Sequence, residues 1–164
     1  MSLALQYPTR VSKLIVADIV PKKYDVDTKF SNIIKGLLHI NNMTLRSRTE
    51  ADTLLMPFVS ERGVRQFLLK NLAWTEQKTL SLRCNIEVLQ HKLKEIGAAP
   101  TGLPYTGKTL FLAGKQSDYV LQTDMTVIQA LFPSASLHWV TDAGHWLHAE
   151  NPKGFTIALQ DFLS

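Results

Sequence analysis

Residues 13–20 read KLIVADIV, a short apolar run that is rich in β-branched residues and is followed by Pro21. Because its apolar residues are continuous rather than alternating, the run is typical of a strand buried on both faces, as in a parallel sheet. Two similar runs follow, TLFLA at 109–113 and LHWVT at 137–141. They alternate with two helical patterns, residues 119–132 and the apolar face of Phe155, Ala158, Leu159 and Phe162. This order predicts an α/β fold with three parallel strands and flanking helices.

The middle of the chain has a different pattern. Between residues 24 and 97, four segments carry apolar residues three or four positions apart, which indicates helices. The stretch WTEQKTLSLRCN at 74–85 has some strand-like alternation, which indicates a short hairpin or an extended excursion. The Gly- and Pro-rich stretch GAAPTGLPYTG at 97–107 then leads back to the sheet. We expect one domain whose core is 1–23 and 98–164, with residues 24–97 forming a helical lid over the carboxyl edge of the sheet. Alternatively, these helices only cover the sheet.

The composition is that of a globular protein and excludes several functional classes. The 164 residues are 45% hydrophobic and 20% charged, and they contain a single cysteine, Cys84. One thiol excludes an internal disulfide framework and a cysteine zinc site. The net charge of +4 does not predict nucleic-acid binding, because Lys and Arg are spread along the whole chain. No apolar run reaches the roughly 18–20 residues of a membrane span, and MSLALQYPTR lacks the pattern of a secretory signal.

Candidate catalytic residues lie just after the predicted strands. Asp18 ends the first strand, Ser117 and Asp118 follow the second, and His145 follows the third. Because neighbouring parallel strands lie about 4.8 Å apart, Asp and His in these loops can meet although they are distant in sequence. Such a pair orients the imidazole and stabilises its protonated form, as general-base catalysis requires. A simpler interpretation also stays open, with Asp18 capping a turn and His145 packed beside Trp146.

A metal site is the other chemistry that these histidines could support. His145 and His148 are spaced i, i+3, but no third ligand is suggested nearby. His148 and His138 are interpreted as packed or exposed side chains. We therefore expect no metal site and no cofactor.

Three motifs carry a resemblance to a known family: KLIVADIVP at 13–21, RQFLLKNL at 65–72 and GHWLHAENP at 144–152. Together, in this order and spacing, they resemble the small-esterase branch of the α/β-hydrolase superfamily, with similarity from Leu3 to Leu163. The resemblance implies the C-terminal part of an α/β-hydrolase fold that carries a helical lid. It also implies that His145 is the base of a Ser-His-Asp triad.

The resemblance favours Asp18 as the triad acid over Asp118. Most members of the superfamily carry the acid in a Gly-x-x-Asp arrangement after the strand that corresponds to TLFLAG. Counted from Gly114, that position holds Ser117, and Asp118 lies one residue later. The small-esterase branch instead carries its acid after the preceding strand, which places it at Asp18.

The nucleophile of the superfamily is the serine of a Gly-x-Ser-x-Gly elbow, and no serine in the chain has that pattern. In the resembled branch the elbow precedes the acid by roughly two dozen residues, which projects before Met1. We therefore expect a truncated serine hydrolase that acts on an ester or lipid substrate in its full-length relatives and is inactive alone. The alternative is a non-catalytic short form that binds or regulates a mitochondrial metabolic complex. The resemblance implies a mitochondrial location, otherwise a cytoplasmic one, with a 2-oxoacid dehydrogenase complex as a partner.

Overall fold

The computed structural model describes residues 1–164, which divide into two compact units, 1–23 with 99–164 and 24–98. In chain order the helices are α1 (Ser2–Gln6), α2 (Val26–Asn41), α3 (Arg48–Leu55), α4 (Arg62–Leu68), α5 (Ile86–Ile96), α6 (Met125–Leu131), α7 (Leu147–Glu150) and α8 (Pro152–Leu163). The strands are β1 (Lys13–Ala17), β2 (Leu72–Trp74), β3 (Leu80–Leu82), β4 (Lys108–Gly114) and β5 (Ala135–Val140). None of the helices is both long and apolar enough to span a membrane.

The first unit is built on a parallel sheet of three strands in the order β1-β4-β5, which confirms the predicted α/β fold. The central strand β4 is buried from Thr109 to Gly114, whereas β1 lies at an edge and buries only Val16 fully. The prediction that residues 13–20 are buried on both faces is therefore wrong for β1. A strand with one neighbour leaves part of its side chains open to solvent, and continuous apolar sequence alone does not distinguish the two positions.

The core of the first unit follows the alternation of side chains along β4. Leu110 and Leu112 pack in one cluster with Phe162 of α8. Phe111 lies between them in sequence and contacts the ring of Phe132 at a centroid distance of 5.6 Å. Successive side chains of a strand point to opposite faces, so helices cover the sheet on both sides.

Two predicted boundaries in this unit differ from the structure. β1 ends at Ala17 because Asp18 has a φ of 52°, outside the extended region. The helical pattern predicted from residue 119 begins later, with a 3₁₀ turn at Gln122–Asp124 followed by α6. The Asp124 carboxylate accepts the Leu121 N–H at 2.8 Å and also pairs with Lys22 at 2.6 Å, which fixes this start.

The second unit is mostly helical and contains the antiparallel hairpin β2–β3, which is one of the two alternatives that the pattern of residues 74–85 left open. Its buried cation, Arg65, is 5% exposed and pairs through Nε with Asp52 Oδ1 at 2.8 Å. The same guanidinium donates to the carbonyls of residues 59 and 60. The hydrogen bond from Arg65 holds the pKa of Asp52 below its ordinary value of 3.8. The charges of Arg65 and Arg62 and a hydrogen bond from Gln66 act in the same direction, against partial burial.

Candidate active site

Asp18 is fully buried immediately after β1 and is held in an uncommon backbone conformation. Its φ of 52° lies in the left-handed region, which costs a non-glycine residue about 1–2 kcal/mol. The backbone N–H donates to the Leu112 carbonyl at 2.7 Å, so the turn stays attached to β4. The carboxylate accepts the Gly114 N–H at Oδ1, at 2.9 Å, and the Ser117 hydroxyl at Oδ2. These contacts fix both carboxylate oxygens.

His145 follows β5 and lies against the same carboxylate. Its Nδ1 is 2.8 Å from Asp18 Oδ2, and its side chain is 40% exposed whereas that of Asp18 is 1% exposed. The ring of Tyr119 stacks on the imidazole at a centroid distance of 3.9 Å and an interplanar angle of 14°. The imidazole is thus oriented by a buried acid at one edge and by an aromatic ring across one face.

The strand-end loops approach each other closely because residue 114 is a glycine. A Cβ at Gly114 would lie 2.3 Å from the Gly144 carbonyl oxygen and 2.5 Å from that of Ala143, which is shorter than any real contact. The Gln116 N–H donates to the Ala143 carbonyl at 2.9 Å, which ties the loop after β4 to the loop after β5. The absence of a side chain at 114 therefore lets Asp18 and His145 meet.

This arrangement supports proton transfer at one defined nitrogen. A carboxylate only accepts hydrogen bonds, so the Nδ1 of His145 carries the proton that points to Asp18. In the neutral imidazole the other ring nitrogen, Nε2, is then the acceptor. A buried acid that fixes this tautomer and a partly exposed imidazole are the features of a general-base pair.

Comparisons with known proteins identify this architecture. The chain is 36% identical over 168 residues to the sn-1-specific diacylglycerol lipase ABHD11 of Danio rerio, which covers 99% of the chain and 53% of that protein. It is 29% identical over 164 residues to esterase YbfF of Escherichia coli, covering 100% of the chain and 62% of that protein. A solved marine microorganism esterase is 35% identical with a TM-score of 0.91, covering 97% of the chain and 63% of that structure. The chain belongs to the α/β-hydrolase superfamily.

The chain covers only part of the length of these relatives. It spans about half the length of the ABHD11 proteins that it matches, 53% of the zebrafish protein and 55% of the mouse protein. Its three strands and helices form the C-terminal part of the fold. No family model matches the chain. The names of these relatives indicate that the related enzymes are esterases or lipases of this family.

The residues that the sequence predicts for the site differ in their burial and in their contacts. Asp18 and His145 are in contact, as the position of their strand ends predicts. Asp118 is exposed in the loop after β4, and its neighbour Ser117 occupies the usual acid position. His148 is also exposed, and its ring lies 6.3 Å from that of Phe155. No group of three or more His, Cys, Asp or Glu side chains is arranged to hold a metal ion.

Three residues of the site make contacts that were not predicted from the sequence. Ser117 binds Asp18, Tyr119 stacks on His145, and Glu150 binds backbone N–H groups beside His145. The contact of Ser117 could have been predicted, since this residue occupies the position where most of the superfamily carries its acid. Its hydroxyl donates a hydrogen bond to the carboxylate of Asp18, which follows the neighbouring strand β1. The sequence gives no sign of the contacts of Tyr119 and Glu150, because they depend on how the loops fold.

Proposed function

We propose that this chain supplies the acid–base pair of a serine esterase, with His145 as the general base and Asp18 as the acid that orients it. The observation that carries the proposal is the 2.8 Å contact between His145 Nδ1 and a fully buried carboxylate at the carboxyl edge of a parallel sheet. In open α/β sheets this edge is where ligands bind. Esterase and lipase are also the activities named for the relatives.

In the proposed reaction a serine Oγ attacks the carbonyl carbon of an ester, and its proton passes to Nε2 of His145. The resulting imidazolium is stabilised by Asp18 and then donates that proton to the departing alkoxide oxygen, which leaves as the alcohol. A water molecule attacks the acyl-serine in the second half, again losing its proton to His145. This proton returns to the serine Oγ as the carboxylic acid leaves.

The serine of this reaction comes from outside the 164 residues, because none of the serines present lies in a Gly-x-Ser-x-Gly elbow. The oxyanion hole of the superfamily uses the N–H after that serine and an N–H from an earlier loop. We therefore propose that the 164-residue chain is inactive alone as a truncated form. Residues 24–97 stay our proposal for a lid, and an ester or lipid is the proposed substrate.

The proposal is tested with a fused protein, in which the chain is joined to the portion of the marine microorganism esterase that the chain does not match. We expect the fused protein to hydrolyse p-nitrophenyl butyrate and its His145→Ala variant to lose nearly all of that activity. The 164-residue chain alone should neither hydrolyse this ester above buffer nor react with a fluorophosphonate probe. Stoichiometric labelling of the 164-residue chain that a single Ser→Ala change abolishes would contradict the proposal. Full activity of the fused His145→Ala variant would contradict it equally.

The second candidate that we propose is a non-catalytic short form, with which the absence of a Gly-x-Ser-x-Gly elbow from the 164 residues is compatible. Its proposed partner is a mitochondrial 2-oxoacid dehydrogenase complex. The names of the relatives mention no such complex, so this partner and the mitochondrial location stay predictions. Isothermal titration calorimetry of the purified chain into a purified 2-oxoacid dehydrogenase complex tests this second candidate. A saturable heat of binding would favour the short form as a binding partner. Heat no larger than that of dilution would exclude this candidate.

A further inference from the structure

Glu150 holds the backbone on both sides of His145. Its Oε2 accepts the Gly144 N–H at 2.8 Å, and its Oε1 accepts the Trp146 N–H at 3.0 Å. One carboxylate therefore bridges the residue before and the residue after the proposed base. Hydrogen bonds to an ionised acceptor are shorter and stronger than those between neutral groups.

The one-turn helix α7 brings Glu150 back to this position. The N–H groups of Ala149 and Glu150 both donate to the Trp146 carbonyl at 2.9 Å, which turns the chain directly after His145. This turn places the Glu150 carboxylate beside the N–H groups of Gly144 and Trp146, which precede the first residue of α7.

The rest of the loop is fixed by separate contacts that do not reach the residues beside the imidazole. Asn151 Nδ2 donates to the Thr141 carbonyl at 2.9 Å, and its Oδ1 accepts the Gly154 N–H at 2.9 Å. Asn151 therefore anchors the start of the loop and caps α8. Loss of Asn151 should loosen the same segment while the two hydrogen bonds of Glu150 remain.

We propose that Glu150 is a positioning residue for His145, and that its carboxylate sets the orientation in which the imidazole Nδ1 meets Asp18. This proposal rests on the proposed function in treating His145 as the base. Glu150 acts through the peptide groups at 143–144 and 145–146 and touches no reacting atom. A rotation of the 145–146 peptide, or of the 143–144 peptide transmitted through Gly144, would turn the Cα–Cβ bond of His145. This turn would move Nδ1 away from a carboxylate that is itself fixed by Gly114 and Ser117.

The experiment measures the Nδ1 proton of His145 by NMR in the 164-residue chain, so it needs no nucleophile. A proton held between imidazole and carboxylate gives a protected downfield signal, and His145→Gln assigns it. In Glu150→Ala we expect solvent exchange of this proton to rise about tenfold or more, a factor that corresponds to about 1.4 kcal/mol. Glu150→Gln keeps the shape and an acceptor oxygen, and we expect a smaller rise.

Asn151→Ala is the matched control, because it weakens the same segment without removing a contact beside His145. At an equal loss of Tm, we expect Asn151→Ala to leave the chemical shift and exchange rate of the Nδ1 proton near those of the wild type. A purely structural role for Glu150 predicts that the two variants change the signal equally, and that result would overturn the proposal. An unchanged signal in a folded Glu150→Ala variant would also overturn it. Failure of the proposed function is recognised separately, by a fused esterase that is indifferent to His145→Ala.

Discussion

Two acidic side chains, one in each unit, bind a basic partner at the same distance but with opposite burial. Asp18 meets His145 at 2.8 Å, with the acid 1% exposed and the base 40% exposed. Asp52 meets Arg65 at 2.8 Å, with the side chain of the acid 21% exposed and the side chain of the base 6% exposed. In the first pair the base is presented to solvent, and in the second pair it is enclosed.

The chemistry of the two bases explains why this difference matters. An arginine does not lose its proton in a protein, so the Arg65 guanidinium can only hold what surrounds it, including two backbone carbonyls. A histidine changes its charge near neutral pH and can pass a proton on from its free nitrogen. The distance between acid and base therefore does not identify a catalytic pair. The identity of the base and its access to solvent distinguish the proposed catalytic pair from the Asp52–Arg65 pair.

The largest effect is expected from breaking the Asp18–His145 pair in the fused esterase described above. Asp18→Asn should lower kcat by about 10⁴-fold, because an amide favours the wrong tautomer of the histidine. Asp118→Asn is the control, and we expect a change of less than about tenfold because Asp18 already occupies His145 Nδ1. Initial rates with p-nitrophenyl butyrate measure both. If the Asp118 variant shows the larger loss, the acid is assigned to the wrong residue.

The second prediction breaks the pair in the helical unit. Asp52→Ala leaves the enclosed Arg65 guanidinium with carbonyl partners only. We expect it to lower the free energy of unfolding by about 3 kcal/mol, the lower end for a broken buried ion pair. The exposed pair Lys92–Glu95 provides the control, and Lys92→Ala should cost less than about 1 kcal/mol. Urea unfolding followed by circular dichroism measures both, and equal losses would mean that burial of Arg65 adds nothing.

The third prediction uses the pH dependence of the Asp52–Arg65 pair. Arg65 lowers the pKa of Asp52 from 3.8 in the folded chain, so the folded form binds this proton less readily than the unfolded form. The contribution to stability is therefore present above the unfolded pKa and is lost as the pH falls through the folded pKa. The difference in unfolding free energy between wild type and Asp52→Asn should shrink as the pH is lowered from 6 to about 3. A difference that stays constant over this range would exclude an ionised Asp52 as its source.

The sequence predicted the positions of the site residues better than their surroundings. Asp18 and His145 could be placed at one edge of the sheet because they follow two parallel strands, β1 and β5, which flank β4, and the family resemblance favoured Asp18 over Asp118. The positive φ of Asp18 and the close approach at Gly114 involve contacts between distant segments, so no local pattern reports them. The contacts of Tyr119 and Glu150 depend on that loop geometry. The partial burial of β1 differs from the prediction for a related reason, since burial is determined by which strands pair.

The last prediction compares the two edge strands of the first unit. β1 and β5 each pair only with β4, but β1 is apolar at Leu14, Ile15 and Val16 whereas β5 exposes Ser136 and His138. An apolar edge with unpaired backbone groups recruits further strands, and a charge on the edge prevents this.

We therefore expect the 164-residue chain to self-associate through β1, and Leu14→Lys to shift it toward the monomer in size-exclusion chromatography. Ser136→Lys, on the opposite edge, is the control and should leave the elution unchanged, because that edge already carries exposed polar side chains. Leu14 is only half-buried, so lysine can keep its stem on the sheet with its charge in water. A sharp monomer peak for the wild type, with a cooperative melt near about 60 °C, would show that the β1 edge needs no partner.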